Sequence, residues 1–204
     1  ISVGYRKLFR NALLPNILLG FQKNYPQVKT NYFSVPDFVV LYERLLNDEI
    51  DVAICTLLDE FNTPDFDIYP LCKASFSAVL NRNHPLADRQ QILFSDLADY
   101  PVIFPDEKHH LTFRKKLLEL FSEHQVAPQI AHSVRLLDDA DLLLESNQGI
   151  NIILDCYNDT SNPSVCSIEM PETKDIFDIV LVKKASNKNP ATGFFIKQSK
   201  IERT

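Results

Sequence analysis

The first fifty-five residues constrain the fold more than any other stretch. In Leu13 to Phe33, LLPNILLGFQKNYPQVKTNYF, apolar residues fall at Leu14, Ile17, Leu18 and Phe21 with helical spacing. Tyr25-Pro26 ends that helix, because proline cannot continue it and restricts the residue before it. Val28, Thr30 and Tyr32 then alternate with Lys29, Asn31 and Phe33, which predicts a strand over 28–33. Ile1 to Tyr5 predicts another strand in front. A turn at Ser34-Val35-Pro36-Asp37 follows, with Asp37 placed to cap a helix carrying Leu41, Leu45 and Leu46. Ile50 to Cys55, IDVAIC, is a short and nearly continuous apolar run, the mark of a parallel strand covered on both faces. The order β-α-β-α-β implies a parallel sheet with helices crossing over it.

A second series of this kind lies further on. Val102-Ile103-Phe104 predicts a buried strand, and Leu111 to His124 an amphipathic helix with Phe113, Leu117, Leu118, Leu120 and Phe121 on its apolar side. Ile130, His132 and Val134 suggest a strand, Leu137 to Ser146 a helix, and Gly149 to Leu154 a strand. Between the two series, residues 57–66 read as loop and Ser75 to Leu80 as a strand. Ser95 is placed to cap a one-turn helix with Asp96 in its first turn. After the second series comes the linker-like Asn158 to Ser164, then strands at Val165–Ile168 and Ile176–Lys183 and a last helix at Ala191–Ile201.

Composition narrows the function classes. A net charge of −6 with mixed signs makes the chain by itself a poor nucleic-acid binder, since phosphate contacts need a basic face. No apolar run reaches the ~18–20 residues of a membrane span, and no signal peptide is expected. The absence of an initiator Met suggests a fragment or a processed chain. Cys55, Cys72, Cys156 and Cys166 form no CxxC pair and no zinc-ligand spacing with histidine. Free thiols in a reducing cytoplasm are the expectation, although Cys156 and Cys166, on either side of a loop, stay open as an oxidisable pair. His109-His110 lacks a third ligand nearby, so no metal is expected. No GxSxG, HExxH, Walker or glycine fingerprint is present, and only 4 glycines are available, so neither catalysis nor a cofactor is expected.

Several motifs in order and spacing carry a family resemblance: "LLPNILLGFQKNYPQV", "NDEIDVAIC" and "YPLCKASFSAVLNRNHPLA" with its His84-Pro85-Leu86-Ala87. The chain resembles the effector-binding domain of LysR-type transcriptional regulators from Ile1 to about Lys184. That resemblance implies a two-lobed, periplasmic-binding-protein-like (type 2) α/β fold, each lobe a mainly parallel sheet flanked by helices. Lobe I would be 1–73 plus 168–204 and lobe II 74–167, with a small-molecule effector between them. It also implies a homodimer pairing the Leu13–Tyr25 helix and strand 28–33 with the Leu111–His124 helix. DNA would be contacted only through an N-terminal winged helix-turn-helix, of which this sequence shows no trace. The competing class is an extracytoplasmic solute receptor of similar fold; the HPLA tetrapeptide and the cysteine usage favour the regulator.

The resemblance also assigns candidate ligand-binding residues. Arg6 and Lys7 follow the first strand, where open α/β folds bind ligands, and two cations there suit a carboxylate or phosphate; the plainer alternative is two solvated charges. Asp37 and Phe38 match a cleft position, with an N-cap and local packing as their alternatives. Thr112 and Phe113 match positions that touch effectors in relatives, Phe113 being equally a core residue at helical spacing. Asn147 stands where the family usually has Gly in "LESNQGINIILD", able to accept φ > 0 or to offer an amide. One branch of the family senses peroxide with two cysteines near positions 109–118, and this chain has none there. A small organic anion is the expected effector, and a zwitterion such as an amino acid the second choice.

Overall fold

The computed structural model describes residues 1–6, 13–35, 37–57, 61–157 and 162–201. The chain divides into two units: Ile1–Ala74 with Asp175–Thr204, and Ser75–Lys174.

Unit 1 opens with β1 (Ser2–Arg6), α1 (Leu13–Asn24), β2 (Asn31–Val35), α2 (Phe38–Leu46) and β3 (Val52–Thr56). It adds β4 (Phe66–Ala74) and, after the excursion through unit 2, β10 (Phe177–Lys184) and α5 (Pro190–Ile201). Its sheet has the order β2-β1-β3-β10-β4. β1 is parallel to β2 and β3, while β10 is antiparallel to β3 and β4. The helical period of α1 buries Leu14, Ile17 and Phe21. Phe21 meets Phe195 of α5 edge-on at 5.1 Å, Tyr25 stacks on Phe194 at 4.9 Å, and Asn24 Nδ2 donates to Gln198 Oε1 at 2.7 Å. Burying each large apolar side chain contributes about 1.5–3 kcal/mol. α2 packs on the other face through Leu41 and Leu45, in one cluster with Val35, Ala53, Cys55, Phe61 and Phe66. A Cβ at position 4 would run into the side-chain ends of Ile50 and Leu41, which close over the glycine and would have to shift to admit one.

Unit 2 contains β5 (Phe76–Asn81), β6 (Pro101–Pro105), α3 (Leu111–Glu123), β7 (Gln129–Val134), α4 (Leu137–Glu145), β8 (Ile150–Leu154) and β9 (Val165–Glu169). Its sheet order is β7-β6-β8-β5-β9, with β6 parallel to β7 and β8 and with β5 antiparallel to β8 and β9. Both sheets are therefore mixed rather than mainly parallel. Each has two antiparallel pairings, made by β10 in unit 1 and by β5 in unit 2.

Local readings shift where long-range pairing takes over. β2 starts at Asn31 rather than Val28: the Val28 N–H is used in a turn to Tyr25 O, and Asn31 N–H donates to Ile1 O to open the ladder. β4 begins at Phe66, the last residue of the stretch read as loop, and runs through Pro70, which an edge strand tolerates because no ladder bond is needed outward. Leu71 is skipped in the register with β10, where a bulge lies between Ile179 and Val180. The turn at 94–97 begins at Phe94, and Asp96 Oδ2, not Ser95, accepts the Leu93 N–H at 2.9 Å. Leu118, expected on the apolar side of α3, is 37% exposed, whereas Leu117, Leu120 and Phe121 are buried. The second boundary comes at Lys174–Asp175 instead of near 168, because Val165–Glu169 is hydrogen-bonded to β5 inside unit 2. Register also separates Cys156 from Cys166. Cys166 lies opposite Leu80, whereas Leu154, two residues before Cys156, lies opposite Phe76. That spacing is roughly 13 Å at about 3.3 Å per residue, well beyond the Cα separation of a disulfide. None of the four cysteines is in a disulfide.

Candidate functional site

In unit 1 the candidate residues gather at the carboxyl ends of β1 and β2. Arg6 is the last residue of β1 and pairs in register with Val35, two residues before Asp37. Its side chain is partly buried, and its Nε is sealed from solvent without a hydrogen-bond partner among the described residues. Cys55, fully buried at the end of β3, lies close enough to sense it: burial pushes the thiol up to about 12, and the Arg6 charge opposes that shift. Such a thiol is un-ionised and unreactive at neutral pH. Asp37 Oδ1 accepts the Val40 N–H at 3.0 Å, so the N-cap reading holds. Phe38 is partly buried in an aromatic group, 5.3 Å from Phe61 edge-on and 5.8 Å from Tyr42. Lys7 lies outside the described residues.

In unit 2 the corresponding place is the carboxyl end of β6. Thr112 is exposed in the first turn of α3, and Phe113 is partly buried edge-on to Phe76 at 5.0 Å. α3 has no side-chain cap at His110 and no acidic residue in its first turn. His110 Nε2 instead donates to Arg135 O at 2.8 Å. Arg114 donates to Pro105 O at 2.9 Å and lies over the Phe104 ring. Just before the helix, Asp106 Oδ1 accepts from the His109 N–H at 3.1 Å and from His109 Nδ1 at 2.6 Å. The His109 bond is the main cause that holds the Asp106 carboxyl below its usual range. The two histidines thus have separate partners, and no group of three metal-ligating side chains occurs among the described residues.

Asn147 is not brought to Thr112. It is the left-handed residue after α4, with φ of 54°, and its N–H donates to Leu144 O at 3.0 Å. It precedes β8, which runs parallel to β6, so it sits at the amino end of that pair while Thr112 sits at the carboxyl end. Its φ matches the turn role; its place separates it from the other candidates. The influence of the Arg6 charge on Cys55 and the Asp106–His109 pair escaped sequence reasoning. For the second, the D-x-x-H spacing across a turn was the available signal.

Residues 1–200 match the family model of the LysR substrate binding domain. The chain belongs to that family. It is 30% identical over 152 residues to the malolactic fermentation system transcriptional activator of Lactococcus lactis subsp. lactis, covering 70% of this chain and 48% of the relative. It is 27% identical over 143 residues to the HTH-type transcriptional regulator CysB of Burkholderia cenocepacia, covering 70% and 44%. The LysR substrate-binding chain described here thus spans a little under half the length of these relatives, which are transcriptional regulators and not enzymes. Among solved structures, the effector binding domain of QuiR in complex with shikimate superposes with a TM-score of 0.81 at 24% identity, covering 99% of this chain and 95% of that one. The CcmR regulatory domain of Synechocystis PCC6803 in complex with 2-PG gives 0.79 at 17%, covering 100% and 97%. These likenesses establish the two-lobed, type 2 periplasmic-binding-like fold.

Proposed function

We propose that this LysR substrate-binding domain senses a small organic anion and passes that signal to a DNA-binding domain of the same regulator. The observation that carries the anion is Arg6. A buried guanidinium N–H without a partner costs on the order of 1–3 kcal/mol, and Arg6 is the last residue of β1, at the strand ends where α/β folds take their ligands. A carboxylate would supply the missing acceptor, often in a two-bond fork with guanidinium. Asp37 does not compete for Arg6: no ion pair joins them among the described residues, and its Oδ1 serves α2. That cap also removes the reason to prefer a zwitterion. QuiR was solved with shikimate and BenM with its effector benzoate, both organic acids. Membership of this family supports the sensor reading over a solute receptor, and cysteines without a disulfide suit the reducing cytoplasm where DNA lies. No described helix is long and apolar enough to cross a membrane.

Calorimetric titration with organic acids tests the anion. Arg6→Ala is expected to weaken binding by roughly 10–150-fold, the ~1.5–3 kcal/mol of a charged hydrogen bond. Unchanged affinity removes Arg6 from the site, and an effector that is purely cationic or apolar sinks the reading.

The domain is further proposed to form a homodimer through α1 with β2 and α3 with β7. β2 and β7 are edge strands with mostly exposed residues. Leu19 is 71% exposed on α1, and Tyr32, Leu118 and Ile130 are each 37% exposed. Leu19→Asp is the sharper probe, since Phe21 is fully buried and its loss would unfold the unit. Sedimentation at tens of micromolar should show a dimer that Leu19→Asp dissociates; a wild-type monomer there would refute the interface.

A further inference from the structure

His124 and Glu172, both in unit 2, form a pair that neither the anion reading nor the proposed dimer uses. His124 is the residue at which α3 ends, and its ring lies nearly parallel to the buried Phe94 ring at 4.7 Å. Its Nδ1 is 3.2 Å from Glu172 Oε1. The other oxygen, Oε2, accepts the Phe94 N–H at 2.7 Å. One carboxylate therefore holds the imidazole and also the backbone of the residue on which that imidazole stacks. Phe94 in turn meets Phe121 of α3 edge-on at 4.9 Å. Glu172 belongs to the short turn Pro171–Thr173, the last turn before unit 2 gives way to unit 1 at Lys174–Asp175. Thr173 is buried there and donates to Met170 O at 2.7 Å. Asp175, just past the boundary, has a left-handed φ of 58°, a conformation that a non-glycine residue keeps only where its surroundings hold it.

Protonation changes the strength of this contact and leaves its geometry alone. A carboxylate only accepts hydrogen bonds, so the ring presents Nδ1–H to it whether Nε2 is bare or protonated. A cationic donor makes a bond roughly twice as strong as a neutral one. The end of α3 carries partial negative charge and has no basic residue in its last turn, so it also favours the cation. The face of the Phe94 ring acts in the same direction. Of the other charged groups on the elements packed here, Asp96 accepts the Leu93 N–H, and Lys116 pairs with Glu119 at 3.5 Å. Asp99, Glu123, Lys174 and Asp175 are exposed, and residues 125–128 carry no charge.

We propose that proton uptake by His124 fastens the Pro171–Thr173 turn to the end of α3, a pH-sensitive clasp beside the unit boundary. It rests on neither the anion nor the dimer reading. Amide hydrogen exchange on the whole chain tests it at about pH 8 and about pH 5.5, on either side of the range in which histidine changes charge. Rates are corrected for the intrinsic pH dependence of exchange. The amides to follow are Phe94, held by Glu172, and Thr173, bonded to Met170 O at 3.0 Å.

Protection of both amides should rise about two- to fivefold at the lower pH, the worth of a partly exposed ion pair. His124→Gln, neutral at both pH values, should abolish the rise. Glu172→Gln keeps an oxygen for the Phe94 N–H but loses the charge, and should abolish it too. Melting curves verify that each variant folds, and the wild-type comparison stands without either. Equal protection at the two pH values in wild type, or a rise that survives either substitution, overturns the inference.

Discussion

Replacing Asp37 with alanine removes the carboxylate oxygen that accepts the Val40 N–H at 3.0 Å. The residue has an extended backbone, with φ −147° and ψ 175°, as an N-cap requires. α2 has only nine residues, so its first turn is a large part of it. The helix stays anchored by Leu41 and Leu45, both 0% exposed, so the damage is confined to fraying and one orphaned N–H. The expected loss is about 1 kcal/mol, within a range of ~0.5–2 for cap removal. For a chain of this length that lowers the melting temperature by roughly 2–4 °C. Urea unfolding should show a lower midpoint and an unchanged slope, since the exposed area does not change. Asp37→Ser and Asp37→Asn keep a capping oxygen and should restore most of the loss. If Asp37→Ala leaves stability unaltered while weakening an organic acid, the carboxylate serves the ligand and the capping argument is wrong.

Two further outcomes follow from the backbone and the carboxylates. Asn147→Gly should stabilise unit 2 by up to ~1 kcal/mol and Asn147→Ala should cost about that much, because φ of 54° suits glycine and penalises a Cβ; neither should change effector affinity, and a calorimetric change would return Asn147 to the site. For Asp51, burial disfavours the charge, but the Ser2 N–H at 2.7 Å and Asn187 Nδ2 at 3.1 Å outweigh it, so the folded pKa lies below the unfolded one. The stability it contributes is complete above the ordinary carboxylate range of ~3.9 and is lost as pH falls through the lower folded value. Asp51→Asn should therefore flatten the acid limb of a urea-stability profile below about pH 4, and an unchanged limb would contradict the assignment.

Periodicity along the chain is decided by which side chains share a face, and that much is local. Leu14, Ile17 and Phe21 specify α1 and bury as their spacing predicts. The apolar run Val52 to Cys55 specifies a strand covered on both faces, and Asp37 caps α2 because the cap and its N–H are three residues apart. The family, too, was legible, since its motifs are short and contiguous. Contacts between distant residues were not. β4 forms across Pro70 only because β10, about a hundred residues later, supplies a partner. The unit boundary falls after Lys174 because β9 belongs to β5, and Thr173 Oγ1 accepts the Phe76 N–H at 2.8 Å. The unpaired Arg6 Nε is likewise a product of packing, since burial and partner count are properties of the folded neighbourhood. Asn147 shows the division in one residue. Its composition foretold a positive φ, a property of its own backbone. Its distance from Thr112 depends on which end of β8 faces the carboxyl end of β6, and only the assembled sheet decides that.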